Sequence, residues 1–288
     1  MTATTRQNVV ALLRTAPQDA CLLDLFSTDS RPLEERQREF FLLAATWPDI
    51  VRPRDDDDER ACTRFHRRDW HFINYFWQGI SEATNDDRPE DRDDLETPEL
   101  NAVERLRLFR PFASCATPSC GTSQADRATT LAWMLHIAGD IHQPLHTSAR
   151  VTTRVNEREG DQGGNLFKLD TSNNPLSLHS YWDGIVDRSI PRQSNENNDN
   201  PAYLARVATR IVTAHPRASM VARLKSGDFK AWSLEGLEIT KKDVYPDTLK
   251  RRRAPSDTYR NNASTIALEA IALGGYRLAD LLNQMFGS

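Results

Sequence analysis

The sequence predicts a mainly α-helical fold, on three observations. Apolar residues recur at three- and four-residue spacing through most of the chain, segments rich in proline or acidic residues separate these stretches, and no strand–helix–strand alternation is present. One domain over residues 1–288 is expected, with a small β-hairpin near 150–170.

Taken in order, residues 6–14 and 32–45 have the spacing of amphipathic helices. Pro48 disfavours helix at Trp47 and is expected to set a turn over Trp47-Pro-Asp-Ile-Val-Arg52. The acidic run Asp55–Arg60 reads as a solvated loop. Residues 66–80 gather Trp70, His71, Phe72, Tyr75, Phe76 and Trp77, a density more typical of core than of a ligand platform. Residues 85–99 form a second acidic surface loop. Helices over 100–109 and 123–141 flank loop 111–122, where Cys115 and Cys120 could close a disulfide around Pro118. Four cysteines in so long a chain are equally compatible with free thiols. Val151–Val155 and Asn165–Leu169 are strand-like and joined through Gly163-Gly164, the source of the hairpin expectation. Further helices are expected near 177–187, 202–214, 229–242 and 257–285, with a polar loop at 191–200.

Charged residues make up 27% of the chain and hydrophobic ones 39%, which fits a globular protein rather than a disordered one. The net charge of −4 provides no global field to recruit nucleic acid or an acidic membrane, so contact with a polyanion falls to local arginines or bound cations. No apolar run reaches the length of a membrane span, and the opening Met1-Thr-Ala-Thr-Thr-Arg6 has no signal-peptide core.

The densest chemistry lies in His136-Ile-Ala-Gly-Asp-Ile-His-Gln-Pro-Leu-His146, which holds three of the chain's seven histidines. His136 and Asp140 are four residues apart and share one helix face. Pro144 ends or bends that helix and gives His146 a different angle. Imidazole and carboxylate converging in this way suit a borderline metal such as Zn²⁺. Leu178-His-Ser-Tyr-Trp-Asp183 repeats the His-x₃-Asp spacing, so two helices each offer a histidine and an aspartate to one cavity. Asp49 and His71 are candidates to complete the sphere, although spacing alone reads them equally as core or surface.

Trp47-Pro-Asp-Ile-Val-Arg52, His71-Phe72, Leu135–His146, Gly163-Gly-Asn165 and Leu178–Asp183 together resemble the zinc-dependent single-strand nucleases, the family named after nucleases S-one and P-one and related in fold to zinc phospholipases C. The resemblance runs from about Thr4 to the end, and Gly274–Asn283 looks like the family's last helix. It implies one zinc held by Asp49, His71, His136 and Asp140, and a second held by His146, His179 and Asp183. The family's third zinc uses an N-terminal Trp-Gly-x-x-Gly-His signature that is absent here. Two zinc sites are visible in the sequence, and the family's first N-terminal helix is missing; the expectation is an upstream truncation that removed the third site's ligands, the alternative a variant with at most two zincs.

The resemblance also implies roles. Asp140 bridges metals beside an activated water, and Arg52 stabilises transition-state charge with a guanidinium suited to two phosphoryl oxygens. Phe72 stacks on an unpaired base, Asn74 meets the base edge, and Asn165 braces the site or approaches the phosphate. His142 points off the ligand face and is expected to be structural; His66 and His215 have no motif support. The expected activity is hydrolysis of single-stranded DNA and RNA to 5′-nucleotides, with 3′-nucleotidase activity. The expected setting is secreted or periplasmic, with no membrane and no obligate protein partner. Two other readings compete: a phospholipase C acting on a lipid headgroup, and a zinc-stabilised helical protein without catalysis.

Overall fold

The computed structural model describes residues 1–55, 57–78, 92–93, 101–115, 121–194, 196 and 200–287. Its elements are mainly helical, as expected: α1 Ala3–Leu13, α2 Leu33–Ile50, α3 Ala102–Ser114, α4 Gln124–Asp140, α5 Leu178–Asp183, α6 Ile185–Ser189, α7 Pro201–Ala214, α8 Arg217–Met220, α9 Phe229–Ile239 and α10 Asp257–Phe286. Three short strands, β1 Tyr75–Gln78, β2 Arg92–Asp93 and β3 Ser148–Val151, make one small sheet. Among the described residues, no helix is long and apolar enough to cross a membrane.

The chain divides into two compact units. The first comprises residues 1–71, 99–140 and 277–288. At its centre α4 is apolar almost all round, with every residue from Leu131 to Ala138 buried, as a helix enclosed by others must be. It packs against α2 and α3. Thr2 and Asn101 cap α1 and α3 by accepting from the backbone amides of Thr5 and Glu104, each filling one of a helix's unmatched donor positions. Helix α2 runs through Pro48 instead of ending before it. Proline in the last turn forfeits one backbone donor, and burial of Trp47 and Pro48 offsets that loss. The Trp47 indole also donates to the Ala20 carbonyl at 2.6 Å, and Val51 N–H closes the helix end on Trp47 O. The expected turn thus begins after Ile50, which leaves Asp49 on the final helical turn.

The second unit comprises residues 72–98 and 141–276. Its core includes Ile190, Tyr203, Ile211, Met220, Leu224, Leu268 and Leu273, drawn from α7, α8, α10 and the connections beside α6 and α8. β1 is central in the sheet, parallel to β3 with Tyr75 opposite Ser148, and antiparallel to β2 with Tyr75 opposite Asp93. Sheet content near residue 150 was expected, but its pairing differs from the hairpin over 150–170. Ser148–Val151 takes β1 as its partner, and Lys168 makes one isolated bridge, to Ser177. Gln162, Gly163 and Gly164 hold φ of 56°, 58° and 80°, three successive left-handed residues that curl the chain into a closed loop rather than a two-residue hairpin turn.

Candidate metal centre

The first unit gathers one group of donors. His136 and Asp140 leave α4 on one face, and His71 arrives from a short 3₁₀ turn over Arg68–His71. Asp140 Oδ2 lies 3.1 Å from both His136 Nε2 and His71 Nδ1, which are 2.8 Å from each other. Asp49, on the last turn of α2, brings its carboxylate to 3.9 Å from each imidazole. The tautomer of His136 follows from geometry. Its Nδ1 lies 2.8 Å from the Ala45 carbonyl, which can accept but not donate, so the proton sits on Nδ1 and the Nε2 lone pair points into the group. Burial alone would lower the His136 pKa; the charge and hydrogen bond of Asp140, with Asp49 and the Ala45 carbonyl, outweigh it and raise it. Trp133 packs its ring against His71 at 5.2 Å and against Trp47 at 6.4 Å, which fixes α2, α4 and the 3₁₀ turn around the donors.

The second unit gathers another group. Pro144 ends the run after α4 and starts a 3₁₀ turn to His146, while His179 and Asp183 share one face of α5. The His146 and His179 rings stack at 4.9 Å and 21°. Their Nε2 atoms lie 3.8 and 3.5 Å from the Asp183 carboxylate. His179 Nδ1 donates to the Gly163 carbonyl at 2.8 Å, so its Nε2 lone pair again faces the group. Burial would raise the Asp183 pKa, but the hydrogen bond from His146, the charge of His179 and the hydrogen bond from Gln143 keep it below the ordinary value. Gln143 Nε2 reaches Asp183 Oδ1 at 2.9 Å, and its own side-chain oxygen accepts from Leu145 N–H, so it braces carboxylate and turn together.

The other expected site residues are less tightly held. Arg52 is exposed, with its N–H on the Asp49 carbonyl at 3.2 Å and its own carbonyl accepting from Arg60 Nη2 at 2.9 Å. Phe72, Asn74 and Asn165 are half-buried, and Asn165 Nδ2 donates to Gln162 O at 2.9 Å, which makes it a turn brace. His142 packs at a 44° tilt near Trp232, ring centres 5.6 Å apart, and lies against Gly274, in keeping with a structural role. His66 stands closer to the first group than its sequence context suggested, with its ring 6.3 Å from that of His71. Burial, with His71, Arg52 and Arg67 nearby, lowers its pKa and keeps it neutral. Gln143 and the Ala45 and Gly163 carbonyls were not anticipated. Gln143 lay in plain view inside the histidine motif, whereas no residue type signals that a backbone carbonyl will orient a ring. Cys21 and Cys62 are free thiols; the Cys115–Cys120 expectation falls on 116–120, outside the described residues.

The S1/P1 Nuclease family matches residues 4–287. The chain belongs to the S1/P1 nuclease family. Among its relatives, Endonuclease 3 of Arabidopsis thaliana is 26% identical over 176 residues, covering 55% of this chain and 51% of that protein. Nuclease P1 of Penicillium citrinum is 24% identical over 176 residues, covering 58% and 61%. The chain spans about half the length of the Arabidopsis endonucleases it matches. A solved structure, the alpha toxin from Clostridium absonum, aligns over 98% of this chain and 65% of its own at 14% identity, with a TM-score of 0.37.

The donor chemistry of this S1/P1-family chain fits zinc. Asp49, His71 and His136 form one set whose donor atoms lie within 4.8 Å of one another, and His146, His179 and Asp183 form another. Asp140 adds a fourth donor to the first. Two imidazoles and a carboxylate per set, with an Nδ1–H on a backbone carbonyl holding one imidazole in each, is an arrangement that suits zinc.

Proposed function

We propose that this chain is a zinc-dependent hydrolase of phosphodiester bonds in single-stranded DNA and RNA, yielding 5′-nucleotides and also removing 3′-phosphates from nucleotides. The observation that carries the reading is a pair of two-histidine carboxylate sets, each with an imidazole locked in its ligating tautomer, in a chain of a nuclease family. Asp49, His71, His136 and Asp140 would hold one zinc, and His146, His179 and Asp183 another. Bound zinc supplies the activation of a water and neutralises charge on the phosphoryl oxygens.

The chain's own side chains do the rest. Arg52, exposed just beyond α2 with its backbone bonded to the Asp49 carbonyl and to Arg60, offers a guanidinium suited to two phosphoryl oxygens at once. Phe72 offers an aromatic face to an unpaired base, which favours single strands without reading sequence, and Asn74 meets the base edge. Asn165 holds the turn that carries the Gly163 carbonyl. Secretion or a periplasmic location, and a Cys115–Cys120 disulfide, complete the proposal.

Assays of the full chain with zinc on single-stranded DNA, single-stranded RNA, 3′-nucleotides and phosphatidylcholine test it. Turnover of the nucleic acids that ceases with chelator and returns with zinc is expected. Turnover of phosphatidylcholine alone would give the site a lipid substrate, and tightly bound zinc with no turnover of any of them would reduce it to a structural metal site.

A further inference from the structure

The loop that orients His179 is itself held by a buried pair. Asp161 is fully buried, and its carboxylate accepts three hydrogen bonds. Oδ2 takes the Tyr245 hydroxyl at 2.5 Å, and Oδ1 takes the backbone amides of Arg150 at 2.9 Å and Gly164 at 3.1 Å. The Arg150 guanidinium lies over the Tyr245 ring at 4.5 Å. Burial and the neighbouring carboxylate push the Tyr245 phenol well above its usual pKa, so it stays a donor.

The pair acts on a conformation that the backbone does not favour. Gln162, Gly163 and Gly164 are all left-handed, and a side-chain residue such as Gln162 adopts that region at a cost. The turn is wedged between two surfaces. A Cβ on Gly163 would meet the Leu145 carbonyl oxygen at 2.4 Å, and a Cβ on Gly164 would meet the Tyr245 hydroxyl at 2.9 Å. Two carbonyls of this turn face His179. Gly163 O accepts from its Nδ1 at 2.8 Å, and Gly164 O faces its backbone N–H at 3.5 Å.

We propose that Asp161 and Tyr245 are positioning residues for metal binding: they lock the 162–164 turn so that the Gly163 carbonyl fixes the Nδ1–H tautomer of His179 and leaves Nε2 for the metal. The proposal rests on reading His146, His179 and Asp183 as a zinc site. Neither residue touches metal or substrate; each acts through a backbone carbonyl, one step further out than the usual carboxylate or carbonyl partner of a ligating histidine.

The test uses the full chain and the variants Tyr245→Phe and Asp161→Asn, with two readouts. Zinc affinity is measured by competition with a chromophoric chelator, and the His179 ring tautomer by long-range ¹H–¹⁵N spectra of the metal-free proteins. The expected result is a loss of zinc affinity at this site of about tenfold for Tyr245→Phe and up to about a hundredfold for Asp161→Asn. The set containing His136 should keep its affinity, and the His179 Nδ1–H signal should weaken in favour of the other tautomer. Tyr245→Phe removes one oxygen, so it keeps the test decisive if Asp161→Asn does not fold. A folded Tyr245→Phe with wild-type affinity and an unchanged His179 tautomer overturns the positioning role while leaving the zinc site standing. Wild-type protein that binds no zinc at His146, His179 and Asp183 overturns both.

Discussion

At the scale of single residues, the site is built from tautomers and charges that backbone carbonyls and neighbouring carboxylates impose. His136 and His179 each keep a proton on Nδ1 because a carbonyl oxygen stands opposite it, and each therefore aims a lone pair inward. Arg52 is exposed and lies outside both donor sets, and this separates two kinds of substitution. Asp140→Asn removes an anionic donor from between two imidazoles and should cut zinc content and phosphodiesterase activity together. Arg52→Ala should keep the zinc and lower kcat by about a hundredfold or more, the scale of losing one donor to developing charge; metal analysis beside steady-state rates tells them apart. The free cysteines behave differently from catalytic thiols. Burial and a hydrogen bond with Cys62 push Cys21 up to about 11, so at pH 8 it remains almost wholly a thiol. Its alkylation by iodoacetamide should be slower than that of a free cysteine and accelerate as pH rises toward 11; fast modification at pH 8 would contradict this environment.

At the scale of elements, the sequence was most legible where periodicity and spacing carry the information. The His-x₃-Asp pairs were recognisable because a helix places residues four apart on one face, and α4 and α5 do so. The end of α2 departs from the expected turn because a local rule about the residue before proline competes with burial of Trp47 and its bond to Ala20, both set by residues far away in sequence. The segment after His146 departs from the expected hairpin for a related reason. Two glycines between strand-like runs signal a hairpin, but the partner of β3 is β1, some seventy residues earlier, and no local pattern announces it. The glycines instead build a left-handed turn against Leu145. Gly163→Ala should destabilise the protein by about 2 kcal/mol, since an L side chain at this φ is strained and its Cβ collides with a backbone oxygen that cannot rotate away. The same change should weaken zinc at His146, His179 and Asp183 more than at the other set. Chemical denaturation with metal-affinity measurement checks both; an unchanged midpoint would show that the turn is softer than its contacts imply.

At the scale of the whole chain, the two donor sets fall in different compact units, one in the unit of α1–α4 and the other in the unit that carries the sheet and α5–α9. The donors of each set all come from one unit. His136→Ala and His146→Ala are then expected to lose different zincs, one equivalent apiece, and the double variant to lose both. That the donors would sort this way was not visible in the sequence, where His136 and His146 belong to one continuous motif. The division falls between Asp140 and Ile141, inside that motif. The central claim is that these sets are metal sites, and the zinc content of the purified full chain, measured by inductively coupled plasma mass spectrometry after dialysis, tests it most directly. Two zinc ions per chain, falling to one in His136→Ala and to one in His146→Ala, is the predicted result; a wild-type chain that retains no zinc would contradict the account.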